Sequence, residues 1–187
     1  MVRILLIGDT HIPERAREIP RQILDRIEDG HFDLVLCTGD LTDERVNERL
    51  AQLGKLYVVR GNMDFLTLPK SAHIEADGFT IGLVHGDMVY PRGDERGLAR
   101  EAQKMHVDIL ISGHTHRLAV SSTEIEHRKI LLIDPGSATG VWGGGPASEI
   151  PSFAILEIKG NHAVVTGFEL VGESLRESNY VFEKTSV

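Results

Sequence analysis

The sequence predicts an α/β fold, on three observations. Short apolar runs at residues 2–7, 34–37, 56–59, 81–84 and 109–111 each end at turn residues, as buried strands do. Helix-like patterns lie between them, and strand alternating with helix argues for parallel pairing through right-handed crossovers, giving a sheet covered on both faces. The last third then changes to strands without intervening helices, which predicts a second, mainly antiparallel sheet packed on the first.

Element by element, the run at 2–7 is the first strand. Pro20 opens a first helix with Ile23, Leu24 and Ile27 on one face and Gly30 past its end. After the run at 34–37, residues 43–53 repeat the pattern, with Val46, Leu50 and Leu53 at i, i+4 and i+7 and Thr42 as the cap. A third helix is expected over 94–105, with Leu98, Ala102 and Met105 inward. Residues 118–125, 129–133, 153–158 and 163–170 read as strands, with Gly160-Asn161 as a turn. Residues 138–151 hold Gly143, Gly144 and Gly145 in a row and read as a mobile loop. With no internal repeat and no linker, residues 1–187 are expected to form one domain.

The 187 residues include 28 acidic and 20 basic side chains, for a net charge of −8. A chain of this size buries about 70% of its unfolded surface and builds a core without staples. The single cysteine, Cys37, excludes an internal disulfide and a cysteine-cluster metal site, and fits a reducing, cytoplasmic setting. Only four consecutive apolar residues precede Gly8, against about 7–15 in a signal-peptide core and about 20 in a membrane span, so neither export nor membrane insertion is expected. The acidic balance also works against a polyanion, so no long nucleic acid is expected as partner.

The chemistry lies in the residues that close each apolar run: Gly8-Asp9-Thr10-His11, Gly39-Asp40, Gly61-Asn62-Met63-Asp64, His85-Gly86-Asp87 and Gly113-His114-Thr115-His116. Ligands of open α/β sheets bind outside the carboxyl ends of strands, so these five loops are expected to converge on one rim. Alternation along extended backbone would aim Asp9 with His11, and His114 with His116, the same way. The adjacent glycines let the backbone turn and approach whatever is bound. Carboxylate, amide and imidazole without thiolate suit a divalent transition metal: manganese, nickel, iron or zinc. Seven candidate ligands, Asp9, His11, Asp40, Asn62, His85, His114 and His116, are many for one ion and fit two ions sharing a carboxylate at about 3.5–4 Å, as in two-metal hydrolases.

Any one of these motifs alone is ordinary turn chemistry or a hydrogen-bonded histidine. Their coincidence at five strand ends, with four of the nine histidines among them, is what points to metal. His31, His73, His106, His127 and His162 lack that context and are read as structural or solvent-exposed.

In order and spacing, this series resembles the motif set of calcineurin-like metallophosphoesterases over residues 9–116. The stretches 36–41, 108–116, 135–140 and 150–153 resemble more closely the small branch that includes the retromer vacuolar sorting subunit and compact prokaryotic phosphodiesterases. The resemblance implies a four-layer α-β-β-α sandwich of two mixed β-sheets flanked by helices. It also implies that Asp9, His11, Asp40 and His116 hold one metal ion and Asp40, Asn62, His85 and His114 the other, with Asp40 as bridge. Two such cations lower the pKa of a bridging water, present it as hydroxide opposite the leaving group and neutralise the non-bridging phosphoryl oxygens, as phosphoester hydrolysis requires.

One departure matters. Many family members place a histidine, read as a proton donor to the leaving group, where this chain has Met63, and a thioether donates no proton. Esters with acidic leaving groups are therefore the expected substrates, and Asp64 is carried over only as a structural neighbour of the ligands. The stripe Arg92, Arg96, Arg100 and Lys104 interleaves with Asp94, Glu95 and Glu101 and reads as a solvated helix face, with Arg92 the one to test for phosphate contact. Cys37 reads as core. Trp142 is open between a lid or base-stacking role and a contact with a partner or second copy. Residues 136–140 are neither a nucleophile elbow nor a phosphate loop.

The leading expectation is a cytoplasmic phosphodiesterase that uses two divalent transition-metal ions on a small phosphodiester, with assembly into a homo-oligomer left open. The rival is a protein-interaction scaffold resembling the retromer subunit. That scaffold departs from the catalytic pattern at the positions of Asp40 and Asn62, both of which this chain retains. A third reading, a nuclease, is opposed for processive binding by the acidic charge and the lack of a basic, aromatic-lined groove, while cleavage of short or cyclic nucleotides is left open.

Overall fold

The computed structural model describes residues 1–184. In chain order it contains β1 (Val2–Ile7), α1 (Arg21–Glu28), β2 (Leu34–Cys37), α2 (Glu44–Ala51), β3 (Lys55–Val58), β4 (Ser71–Ala76), β5 (Phe79–Val84), α3 (Glu95–Met105), β6 (Ile109–Ile111), β7 (Leu118–Ile125), β8 (Arg128–Pro135), β9 (Ser152–Lys159), β10 (His162–Val171) and β11 (Ser174–Glu183). Six strands form one sheet in the order β11-β10-β9-β1-β2-β3, and five form another in the order β4-β5-β6-β8-β7. Both are mixed: β1, β2 and β3 pair in parallel while β9, β10 and β11 extend the sheet antiparallel from β1. In the second sheet β5, β6 and β8 are parallel, with β4 and β7 antiparallel at its two edges.

Alternation within the apolar strands explains the layers. Ile4 and Leu6 of β1 and Leu36 of β2 face inward and pack with Ile81, Leu83, Ile109 and Ile111 of the other sheet. Leu5, Ile7, Val35 and Cys37 face the other way, onto Ile23, Leu24 and Ile27 of α1 and Val46 and Leu50 of α2. On the far side of the second sheet, Val84, Leu110 and Leu132 are covered by Leu98 and Ala102 of α3. A strand buried on both faces has no polar side to show, hence the continuous apolar runs. The result is the four-layer α-β-β-α sandwich.

Two expectations are corrected. The five apolar runs do not share one parallel sheet, and the late strands do not make a separate antiparallel one: β1, β2 and β3 belong to the first sheet, β5 and β6 to the second, and the late strands divide between them. The cause lies between β3 and β5, where the chain has no helix and so no crossover of the kind a parallel neighbour needs. Instead β4 and β5 form an antiparallel pair that starts a new sheet. Second, Asp43 rather than Thr42 caps α2, its carboxylate accepting the Arg45 N–H at 2.8 Å. Thr42 has φ +61° and donates its hydroxyl to the Ile12 carbonyl at 2.6 Å. Strands β4 and β11 escape a reading that looks for continuous apolar runs: in β4 Ala72, Ile74 and Ala76 alternate with polar residues, and of β11 only Phe182 is buried. Residues 138–151 carry no strand or helix, as expected of a loop. Among the described residues, no helix is long and apolar enough to cross a membrane.

Candidate metal centre

The loops after β1, β2, β3, β5 and β6 meet at one end of the two facing sheets, so the rim is built from both sheets rather than one. Five of the seven predicted ligands have left-handed backbone: Asp9 (φ +50°), His11 (+46°), Asp40 (+52°), His114 (+71°) and His116 (+56°). Non-glycine residues seldom adopt this region, and it clusters where a site demands it. The pairing expected from extended alternation holds for Asp9 and His11, which share a cluster, and fails for His114 and His116: His116 joins Asp9 and His11, while His114 sets its ring edge-on to His85, centroids 5.0 Å apart.

Two groups of side chains offer converging ligand atoms: Asp9, His11 and His116, and Asp9, Asp40 and His85, all of them buried. The Nε2 atoms of His11 and His116 face each other at 3.2 Å. His116 uses Nδ1 to donate to the Val141 carbonyl at 2.6 Å, and His85 uses Nδ1 to donate to the Thr38 carbonyl at 2.8 Å. Each imidazole thereby directs Nε2 into the cluster. Asp40 Oδ2 lies 3.4 Å from His11 Nε2 and 3.5 Å from His85 Nε2, so this carboxylate reaches both groups, as Asp9 does. Asn62 joins through its Oδ1, 3.0 Å from His85 Nε2.

The donor set fits divalent cations. Asp9 Oδ1 is buried with no hydrogen-bond partner and sits 3.5 Å from His116 Nε2. An acceptor oxygen and imidazole lone pairs converging out of water call for a positive charge. The protonation energetics agree. Burial, with Asp9 adding to it and His85 opposing, pushes the Asp40 carboxyl up to about 6. Burial holds His11 and His114 down to about 4, despite the pull of Asp9, keeping both in the neutral form that binds metal. Burial is also the largest single influence on His85 and His116 and works to lower both, but the raising influences together prevail: Asp9, Asp40 and the Thr38 carbonyl at His85, and Asp9 with the Val141 carbonyl at His116.

Several supports act through backbone atoms. Asp64, expected as a structural neighbour of the ligands, is one: its carboxylate accepts four main-chain N–H groups, from Asp40, Leu41, Thr42 and Gly61, at 2.8–3.0 Å. Ser137 and Thr139 donate to the carbonyls of Asp9 and Thr10 at 2.7 and 2.9 Å. The rim glycines serve the ligands themselves: a Cβ on Gly61 would stand 2.1 Å from Asp40 Oδ1, and one on Gly113 2.5 Å from Asp9 Oδ2. Arg92 is committed to the carbonyls of His114 and Gly143, at 3.1 and 2.6 Å, and so ties the 138–151 loop to the rim. Trp142 is 59% exposed, with its carbonyl held by Arg15 at 2.9 Å. Cys37 is fully buried, and burial raises its thiol far above the reactive range. His31, His73, His106, His127 and His162 are all exposed. Beside Asn62 the rim opens into a cavity of about 300 Å³ lined by Arg60, Gly61, Asn62, Lys70, Asp87 and Met88.

Comparison with known proteins converges on one family. Residues 2–161 match the profile of the calcineurin-like phosphoesterase superfamily domain. A probable metallophosphoesterase of Methanocaldococcus jannaschii is 43% identical over 134 residues, 72% of this chain and 67% of that protein. Among solved structures, Vps29 of Entamoeba histolytica complexed with zinc aligns with a TM-score of 0.85 at 36% identity, over 96% of this chain and 98% of that one. Vps29 of Chaetomium thermophilum complexed with a cyclic peptide aligns with a TM-score of 0.84 at 27% identity, over 99% and 98% of the two chains.

Proposed function

The chain belongs to the calcineurin-like phosphoesterase superfamily, and we propose that residues 1–187 act as one cytoplasmic domain that hydrolyses a small phosphodiester with two divalent transition-metal ions. The observation that carries this is the buried meeting of Asp9, Asp40, His11, His85 and His116, with imidazole Nε2 atoms and carboxylate oxygens directed at common points. In this reading Asp9, His11, Asp40 and His116 hold one ion, and Asp40, Asn62, His85 and His114 the other. Divalent cations supply an activated water and neutralise charge on the phosphoryl oxygens.

The chain's own residues supply the rest. Val141 and Thr38 carbonyls fix the tautomers of His116 and His85, so both present Nε2 as a lone pair. Asp64 holds the Asp40 loop by its amides, and Met63, whose N–H donates to Asp40 Oδ1 at 2.8 Å, brings no proton donor to the leaving group. Esters whose leaving group departs without a proton are therefore favoured.

The test is hydrolysis of a chromogenic phosphodiester and the matching monoester by metal-stripped protein resupplied separately with manganese, nickel, zinc, iron and magnesium. Restored cleavage of the diester in excess of the monoester is expected. A second reading, a protein-interaction scaffold, is supported by the cyclic-peptide complex of the Chaetomium relative. Silence with every metal, together with a stable protein complex at native levels, would put the scaffold first.

A further inference from the structure

The cavity beside Asn62 carries two cations that the ligand cluster does not use. The Arg60 N–H donates to the Pro69 carbonyl at 2.7 Å, which sets Lys70 alongside Arg60. Among the described residues, neither the Arg60 guanidinium nor the Lys70 ammonium enters an ion pair or a side-chain hydrogen bond. Asp87 and Met88 complete the wall, so the lining nets one positive charge in a chain whose overall charge is −8. Unpaired cations in a concave wall next to Asn62 focus an anion there. At about 300 Å³ the space lies at the small end of ligand pockets and takes a phosphate with part of its substituent.

Met63 is an independent observation about the same edge of the site. Its thioether offers the leaving group no proton, and an alkoxide that departs without general-acid help loses roughly 10²–10⁴-fold in rate. A phosphate leaves freely, because its second ionisation lies near pH ~6 and no proton is needed at neutrality.

We propose that the physiological substrate is a disubstituted pyrophosphate, cleaved at its phosphoanhydride bond, with one phosphorus over the ligand cluster and the departing phosphate held by Arg60 and Lys70. This rests on the phosphodiesterase reading and names its substrate class. Water oxygen bonds to the first phosphorus as the bond from that phosphorus to the bridging oxygen breaks. The bridging oxygen keeps the electron pair and leaves as part of the second phosphate. The two water protons pass to the product phosphates and solvent, and no oxidant, reductant or further co-reactant is involved.

The experiment compares kcat/KM of the metal-loaded protein for three probes: ADP-ribose as the pyrophosphate, a dinucleoside monophosphate as the alkoxide-releasing diester, and bis(p-nitrophenyl) phosphate. ADP-ribose should exceed the dinucleoside monophosphate by at least ~100-fold. Arg60→Gln and Lys70→Gln, each at an exposed position, should each lower the ratio of ADP-ribose to bis(p-nitrophenyl) phosphate by roughly 10–100-fold, the worth of a charge-assisted hydrogen bond. An unchanged ratio in both variants, or equal cleavage of the two natural-type diesters, overturns the inference. Cleavage of bis(p-nitrophenyl) phosphate without cleavage of ADP-ribose overturns it while sparing the phosphodiesterase reading. Cleavage of none of the three with any metal overturns both.

Discussion

The Asp64 carboxylate seats the Asp40 loop from behind, its Oδ2 accepting the Asp40 N–H at 2.8 Å. The same oxygen takes the Gly61 N–H at 2.8 Å, while Oδ1 takes those of Leu41 and Thr42 at 2.9 and 3.0 Å. Asparagine has nearly the same shape but only one oxygen, and its amide protons would oppose two of these donors. Asp64→Asn should therefore lower stability by roughly 1–3 kcal/mol for each amide left unpaired, and it should weaken metal binding although Asp64 touches no cation. Thermal melts and metal titration check this. A variant with wild-type melting temperature and metal content would show that the loop is held some other way.

Because Asp40 Oδ2 stands between His11 and His85, its loss is felt in both halves of the cluster. Asp40→Ala should retain at most one ion per chain on metal analysis, and hydrolysis should fall by more than ~100-fold, since even partners of metal ligands are worth ~10–100-fold. On the proposed ligand set, His114→Ala should act similarly. Full metal-dependent turnover in either variant would remove these residues from the ligand set.

How far this centre is legible in the sequence depends on which atoms build it. Side chains such as Asp9, His85 and His116 announce themselves after apolar runs, because a buried strand ending in a polar ligand is a pattern written in residue types. The Val141 and Thr38 carbonyls that orient His116 and His85 have no such signature, since every residue carries a carbonyl and only the fold selects one. The same limit applies to the sheets. Residues 109–111 are apolar whichever sheet they enter, and only the helix-free stretch between β3 and β5 hints that the parallel order breaks there. Left-handed backbone at His114 and His116 is equally hidden, because positive φ is uncommon even for histidine and no neighbouring residue type demands it.

Gly113 gives a test that needs no ligand to be touched. A Cβ there would stand 2.5 Å from both Asp9 Oδ2 and Thr38 Oγ1. Neither neighbour can retreat cheaply: Asp9 is fully buried and accepts the His114 N–H at 3.1 Å through that same oxygen. Gly113→Ala should cost about 1–3 kcal/mol as an overpacked position and should lower metal affinity by displacing the Asp9 carboxylate. Metal binding measured on protein shown to be folded by circular dichroism separates the two effects. Undiminished affinity would mean that Asp9 does not need its observed position.

Far from the metal centre, Asp108 ties the second sheet to the end of the described chain. Its Oδ2 accepts the Thr80 N–H and hydroxyl, both at 2.9 Å, and the Lys184 ammonium at 2.7 Å, while Oδ1 meets Arg128 at 3.3 Å. Burial works to raise this carboxyl, but Lys184 and the Thr80 donors prevail and hold it below its ordinary value of 3.8. A carboxyl whose folded pKa is depressed adds stability above its unfolded pKa, and that stability is lost as pH falls through the folded value. Asp108→Asn should therefore lower the melting temperature at neutral pH, where the charge-assisted bonds are worth roughly 1–3 kcal/mol. The gap to wild type should close as pH falls below 3.8 and through the depressed folded value, where the wild-type carboxyl is itself protonated. Lys184→Met should reproduce part of the neutral-pH loss and little more when combined with Asp108→Asn, because the two side chains share one interaction. A gap that stayed constant down to acid pH would show that Asp108 contributes through packing rather than through its charge.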